Sequence, residues 1–353
     1  MFINRITSQD VADRAGVSRT TVSLVLNNTP GAQIREVTRQ RVLLAASELG
    51  YVPDAAAQAL ASRQSQIIGL ILIRTPQQIA SDAFLTQTLD GLLECIHQQG
   101  MRLLIDIVEP QHQKETYLQL VRAKRIDGIL LSGPRYDDEA LNALQESAFP
   151  TVLLGQIPGS WFACVDVDNC AAAQSAVAHL LNLGHTHIAC ITNAPLIYTA
   201  AVERLSGYQQ ALDCAGIAFD TALVRYGDFD IDSGYQQMCS LLESRVEFSA
   251  VFVASDTLAY GAKAALRERG RRIPQDIALV GFDDLPFSRF TDPPLTSVRL
   301  PAVDLARQAA DMLFHMLRGD EPERKQLILD TQLMVRESCG AMLPSSNLVK
   351  SGH

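Results

Sequence analysis

The sequence predicts an α/β protein: an N-terminal three-helix helix-turn-helix headpiece followed by a two-lobed, doubly wound core. Three observations predict it. Residues 6–49 carry helical periodicity punctuated by turn residues. From Ile67 onward, short apolar runs alternate with amphipathic helical stretches. That alternation runs through the chain in two consecutive series.

The first helix follows Thr7, a capping residue with Asp10 three positions on, and Val11, Ala12 and Ala15 form its apolar stripe. Gly16 stops it, and Val17 fits the pivot. Ser18 can cap a second helix, in which Val22, Val25 and Leu26 share one face. Thr20, Ser23, Leu24 and Asn27 fall on the other face, with Arg19 beside them. That face offers donors, acceptors and a methyl-bearing group, the layout of a helix whose outer side lies in the major groove of DNA. An αα-hairpin in an ordinary helical core shares this pattern and is the alternative reading. Asn27-Asn28-Thr29-Pro30-Gly31 marks a turn. A third helix, from about Arg35 to Leu49, can close a core with Val37, Val42, Ala45, Ala46 and Leu49, while Arg35, Arg39 and Arg41 either carry charge for phosphates or form a solvated helix face.

After Gly50-Tyr51-Val52-Pro53 comes a short alanine-rich segment, 54–62, capped by Asp54. It is shorter than the ~12–15 residues that a lone helix needs in water, so it should fray unless a partner supports it. Ala55, Ala56 and Ala57 allow close approach of a second copy. Leu60 is either a core residue or a wedge into a base step.

The two series then follow. Strand-like runs fall at 67–73, 102–108, 128–131 and 151–154, with helices at 82–99, 112–124 and 138–147. The second series has helices at 170–183, 200–215, 231–245 and 256–269, with runs at 187–191, 223–227, 250–253 and 277–281. Parallel sheets covered by helices on both faces bind ligands at the carboxyl ends of their strands, so the crevice between the lobes is the expected pocket.

Composition narrows the function classes. Of 353 residues, 47% are hydrophobic, enough for real cores. The longest unbroken apolar run, Ile67 to Ile73, is too short to span a bilayer. With no signal peptide visible, the chain reads as cytoplasmic. The formal charge is −9, yet residues 1–65 hold seven Arg and Lys against five Asp and Glu, a net of +2. A mildly basic head on an acidic body suits a compact DNA module joined to something else. The seven cysteines are scattered and odd in number, which reads as free thiols. His185 and His187 lack a cysteine or carboxylate partner and read as structural, so no metal is expected. Neither a dinucleotide-binding glycine fingerprint nor a Walker A loop nor a nucleophile elbow occurs. No nucleophile, base and orienter can be assembled, and neither an enzyme nor a cofactor is expected.

Several runs together resemble one family, the lactose-repressor/galactose-repressor family of bacterial transcription regulators. They are DVADRAGVSRTTVSLVLN at 10–27, ELGYVPDAAAQALA at 48–61, QSQIIGLI at 64–71, IDGILL at 126–131, HLLNLGHTHIACI at 179–191, ERLSGYQQAL at 203–212, AVFVASDTLAYGAKAAL at 250–266, DIALVGFDDLPFSRFTDPPLTSVRLP at 276–301 and VRES at 335–338. The resemblance spans the chain to about residue 340. It implies a headpiece at 1–50, a hinge helix or linker at 51–65, and a core like periplasmic sugar-binding proteins, followed by a tail at 341–353. Three crossings would place 66–165 and 296–320 in the first lobe, and 166–292 and 321–340 in the second.

The resemblance also implies roles. Arg19, Thr20 and Leu24 match base-reading positions; many members have Arg where this chain has Leu24, which can offer only a methyl contact to thymine. With Thr7, Ser18, Ser23 and Asn27, and with Ala57 and Leu60 from the hinge, they make the expected DNA-contacting set. Arg204 and Asp283 match effector-binding positions. Phe229 sits where an aromatic often stacks on the ligand, and Ser255 where Asn is common. Asp284 in place of Asp283, or a surface pairing of Arg204 with Glu203, are the structural alternatives. The expected protein is a regulator, of repressor type, that binds pseudo-palindromic double-stranded DNA as a homodimer. A small effector between the lobes, a sugar or sugar derivative ahead of a purine or nucleoside, would control it. The tail from Leu343 has no leucine heptads and should be disordered, which favours a dimer over a tetramer.

Overall fold

The structure is a computed structural model. It describes residues 6–27, 31–52, 64–80, 82–109, 113–320 and 324–342. The expected hinge at 54–62, with Ala57 and Leu60, and the tail from Leu343 lie outside the described residues. The chain divides into two compact units, Met1–Gln66 and Ile67–His353.

In the first unit, helices Ser8–Ala15, Arg19–Leu26 and Glu36–Leu49 close on a core of Val11, Ala12, Ala15, Val22, Val25, Val42, Ala45 and Ala46. The caps are the expected ones. Thr7 N–H donates to Asp10 Oδ2 at 2.7 Å, while Asp10 N–H donates to Thr7 Oγ1 at 3.4 Å. Gly16 has φ +63°, the left-handed conformation that ends a helix at least cost for glycine. Ser18 Oγ accepts from Thr21 N–H at 3.2 Å. Val37 departs from expectation: it is 72% exposed. It lies about 140° around the helix from Val42, at 100° per residue, and so faces away from the core.

In the second unit the strands are β1 (Ile67–Leu72), β2 (Arg102–Ile107), β3 (Gly128–Ser132), β4 (Thr151–Leu154), β5 (Ala163–Val167), β6 (Ile188–Thr192), β7 (Val224–Tyr226), β8 (Ala250–Val253), β9 (Ala278–Asp283), β10 (Thr296–Arg299), β11 (Gln326–Leu329) and β12 (Gln332–Met334). They form two six-stranded sheets, ordered β11-β5-β4-β3-β1-β2 and β12-β10-β9-β8-β6-β7. Every pairing is parallel except β10 with β12. The central strands are continuous apolar runs because helices cover both faces. No described helix is long and apolar enough to cross a membrane.

Strand pairing departs from the expected lobe boundaries three times. β5 runs to Val167 in the first sheet, past the expected boundary at 165. β10 pairs with β9 in the second sheet, so 296–299 does not belong to the first lobe. β11 pairs with β5 in the first sheet, so 326–329 does not belong to the second. The chain therefore changes lobes between β10 and the helix Ala302–Leu317, and again between β11 and β12. Four-residue strands such as TSVR and QLIL give no long apolar run to fix their sheet from sequence.

The second lobe depends on two glycines at a close helix crossing. Helices Ile231–Glu243 and Asp256–Glu268 touch through Gly234 and Gly261. A Cβ at Gly261 would overlap the Ile231 carbonyl oxygen and lie 2.6 Å from Tyr235 N, so the backbones meet with no room for a side chain.

Candidate functional site

A cavity of about 120 Å³ opens between the two sheets, lined from the carboxyl ends of their strands. The first lobe contributes Arg74, just beyond β1, with Asp82, Phe84, Ser132 and Leu154. The second contributes Asn193, just beyond β6, with Tyr198, Arg204, Phe229, Ser255 and Asp283. Asp166, near the end of β5, and Asn169, at the start of the helix that follows, complete the wall.

Of the expected effector residues, all four line this cavity. Arg204 is 7% exposed and lies on the inner face of helix Thr199–Cys214. Its Nε donates to Asn169 Oδ1 at 2.9 Å, and Nη1 donates to Ala254 O at 2.7 Å and Asp283 Oδ1 at 3.5 Å. Its Cζ lies 3.8 Å from the Phe282 ring centroid. The alternative pairing with Glu203 is absent from these bonds. Ser255 Oγ donates to Asp283 Oδ2 at 3.0 Å, so its one hydroxyl proton is committed to holding Asp283. Asp284 faces elsewhere: it is clamped by Arg336 at 2.6 Å and Arg299 at 2.8 Å. Phe229 meets Tyr198 edge-on, with centroids 4.8 Å apart, and carries the Arg74 guanidinium 4.3 Å from its own centroid. Protein therefore covers part of the surface on which a ligand was expected to stack.

Phe229 and Asp283 both have positive φ, +67° and +106°. Non-glycine residues adopt such angles at a cost of order 1–3 kcal/mol, sustained where the surroundings demand it. Here the turn after β9 aims Asp283 inward, and Phe229 N–H donates to Asn193 O at 2.9 Å. Arg74, Asp82, Asp166, Asn169 and Asn193 were not singled out from the sequence. The available signal was position, since each follows or ends a strand or begins the next helix.

Further contacts tie one lobe to the other. Tyr198 Oη donates to Ile73 O at 2.8 Å, Gln78 Nε2 donates to Asp228 Oδ1 at 2.7 Å, and Arg135 and Tyr198 form an antiparallel bridge. Arg74 forms an ion pair with Asp82 inside the first lobe while its guanidinium reaches Phe229 of the second.

Burial pushes several acids up. Asp283 and Asp166 rise to about 6, with Arg204 opposing the shift in both. Burial and then Asp166 push Glu203 to about 7. Asp256 rises to about 8 through burial and the nearby Asp283, although it accepts from Ser297 Oγ at 2.6 Å, Leu285 N at 2.9 Å and Ser288 Oγ. An acid raised on folding contributes stability that is complete below its unfolded pKa and lost as pH rises through the folded one. His179 and His185, lowered by burial, and Lys263, lowered by burial to about 8, oppose this in part. Between pH 6.5 and 7.5, stability is therefore expected to fall by about 1 kcal/mol as pH rises. Asp256→Asn should flatten that slope; urea melts at the two pH values measure it.

In the first unit, Arg19, Thr20 and Ser23 are exposed on the second helix, and Leu24 is half-buried beside them. Ser23 Oγ accepts from Asn27 Nδ2 at 3.1 Å. Thr7 and Ser18 are exposed at helix starts, with their hydroxyls in the caps described above.

Residues 7–54 match the model of bacterial regulatory proteins of the lacI family, and 177–339 match a periplasmic binding protein-like domain. The HTH-type transcriptional regulator CelR of Thermobifida fusca is 36% identical, covering 95% of this chain and 98% of its own. A solved transcriptional regulator CelR–cellobiose complex is 35% identical, covers 95% of this chain and all of its own, and has a TM-score of 0.73. The lac repressor dimer bound to operator and the anti-inducer ONPF is 28% identical over 95% of this chain and 99% of its own, with a TM-score of 0.83. The chain resembles these relatives over nearly its full length, and it belongs to the lacI family of bacterial regulatory proteins, as a DNA-binding transcriptional regulator and not an enzyme.

Proposed function

We propose that this regulator acts in the cytoplasm as a homodimeric repressor whose operator affinity is set by a sugar or sugar derivative bound between the lobes. The carrying observation is the buried Arg204–Asp283 pair at the wall of the interlobe cavity. A guanidinium and a carboxylate held side by side offer paired donors and paired acceptors, which suits vicinal hydroxyls. Phe229 supports a sugar over a nucleoside, because Arg74 and Tyr198 already engage its ring where a base would stack. The complex of the relative CelR with cellobiose supports the same class. Homodimer formation has support from the lac repressor dimer. Phe287 and Phe290, 70% and 72% exposed, offer apolar surface for it.

In this reading Arg204, Asp283, Ser255 and Phe229 hold the effector, and Arg19, Thr20 and Leu24 read bases, supported by Thr7, Ser18, Ser23 and Asn27. Ala57 and Leu60 act at the minor groove. Effector binding shifts the balance between lobe arrangements, and a coupling of ~1–3 kcal/mol changes DNA affinity ~5–150-fold. The test is titration of the full chain onto DNA recovered by binding-site selection, with and without cellobiose, glucose and a set of nucleosides. A sugar-dependent change in affinity supports the reading; a change with nucleosides alone overturns the sugar.

Leu24→Arg gives a second, separate test. The substitution replaces a methyl contact by a bidentate donor fork, so the selected half-site should change at one position, by ~1–3 kcal/mol per base pair. An identical consensus from both proteins would remove Leu24 from the reading set.

A further inference from the structure

We propose that the effector is an uncharged polyhydroxylated molecule, one hydroxyl of which is held between Arg74 of the first lobe and Asn193 of the second. The proposal rests on the interlobe effector reading and specifies its chemistry.

Two buried polar atoms carry the inference. Arg74 is 8% exposed, and its guanidinium is fixed by the ion pair with Asp82 and by the Phe229 ring. Its Nε–H is nonetheless buried with no hydrogen-bond partner among the described residues. Asn193 Oδ1 is buried and unpartnered in the same sense. Both residues line the one cavity. Both also neighbour Phe229: the Arg74 guanidinium carbon lies 4.3 Å from its ring centroid, and Phe229 N–H donates to Asn193 O at 2.9 Å. One atom needs an acceptor and the other a donor. A single hydroxyl group supplies both, whereas a methyl or an ether oxygen cannot. Native proteins leave few buried polar groups unsatisfied, and an unpartnered donor and an unpartnered acceptor lining one cavity mark the place of a missing partner.

The fixed charges give the second half. Only two cations, Arg74 and Arg204, line the cavity among the described residues. Each has its own carboxylate, Asp82 and Asp283 respectively. A third carboxyl, Asp166, also lines the wall and bonds the Asn169 amide at 3.3 Å. No cation is left over for a phosphate or carboxylate ligand, and Asp166 would repel one. Burying an anion without a counter-charge is strongly disfavoured, so a phosphorylated sugar should bind more weakly than its neutral parent. Because the hydroxyl touches both lobes, the same contact that selects the ligand also ties one lobe to the other.

The experiment is calorimetric titration of the full-length protein with neutral mono- and disaccharides, cellobiose and glucose included, with glucose 6-phosphate and other phosphorylated counterparts, and with nucleosides. The tightest ligand is then titrated into Asn193→Leu, Arg74→Lys and Arg204→Met. Arg74→Lys keeps a cation for Asp82 but removes the Nε–H, and thermal melting of the unliganded variants checks their folding. We expect a neutral sugar to bind best, and Asn193→Leu and Arg74→Lys each to weaken it about 10–100-fold. Tighter binding of a phosphorylated sugar overturns the proposal. So does unchanged affinity in both variants, and if Arg204→Met still abolishes binding, the interlobe reading survives that failure. Normal binding in Arg204→Met, or no binding by any member of the panel, overturns the interlobe reading itself.

Discussion

Arg204→Met is expected to abolish the effector response and to destabilise the core by about 3–5 kcal/mol. The guanidinium is buried, and its removal frees three acceptors at once: Asn169 Oδ1, Ala254 O and Asp283 Oδ1. Among the described residues the Asp283 carboxylate then keeps only Ser255 as a side-chain hydrogen-bond donor, and its pKa should rise further. The two effects can be separated. A double variant, Arg204→Met with Asp283→Leu, removes both charges from the low-dielectric wall and should recover much of the lost stability, since an apolar replacement of a buried pair is often neutral. It should not recover effector binding, because paired donors and acceptors for hydroxyls are gone. Urea unfolding and DNA titration with effector provide the two readouts. If the double variant is as unstable as the single one, the uncompensated carboxylate is not the source of the loss.

Gly261→Ala is expected to cost about 2–4 kcal/mol, near the upper end for adding a single methyl group. The new Cβ meets backbone on two sides, the Ile231 carbonyl and Tyr235 N, and backbone cannot rotate away as a side chain would. The helices Ile231–Glu243 and Asp256–Glu268 must separate. Their first residues follow Phe229 and Ser255 closely in sequence, so the displacement reaches two cavity walls. Effector affinity should therefore fall along with stability, although Gly261 does not line the cavity. A helix-surface control such as Arg267→Ala should change the unfolding midpoint far less. Equal effects of the two would show that the close crossing is tolerant.

Much of the fold is legible in residue order. The caps at Thr7, Gly16 and Ser18 are local chemistry and follow from a few neighbouring residues. The central strands are legible because a strand buried on both faces reads as an apolar run; the predicted runs from 102 to 281 begin and end within two residues of the observed strands. Strand β5 escapes because ACVDV carries Asp166 into the cavity wall, and β10 to β12 escape because TSVR, QLIL and QLM are short and partly polar. Val37 misleads because β-branched apolar character says nothing of helical phase. The cavity divides in the same way. Arg204 and Asp283 were reached through a family resemblance carried by long motifs. Arg74 and Asn193 were not, because which polar residue after a strand turns inward depends on loop angles such as those at Phe229 and Asp283. No spacing rule encodes those angles.

The exchange of strands between the two sheets also sets the order in which the molecule can be completed during synthesis. Strand β5 leaves the ribosome with one edge open, and its second neighbour, β11, is made only after all of the second sheet but β12. The helix Ala302–Leu317, whose Val303 and Ala306 close over Gly91, likewise arrives late. A nascent chain that ends before Leu329 has neither lobe finished, since the first sheet lacks β11 and the second lacks β12. Until then the unfinished first lobe exposes an unpaired strand and apolar helix-packing surface, the features that chaperones shield. The core thus matures as one body after translation is nearly over, and no cut of the chain yields a whole lobe.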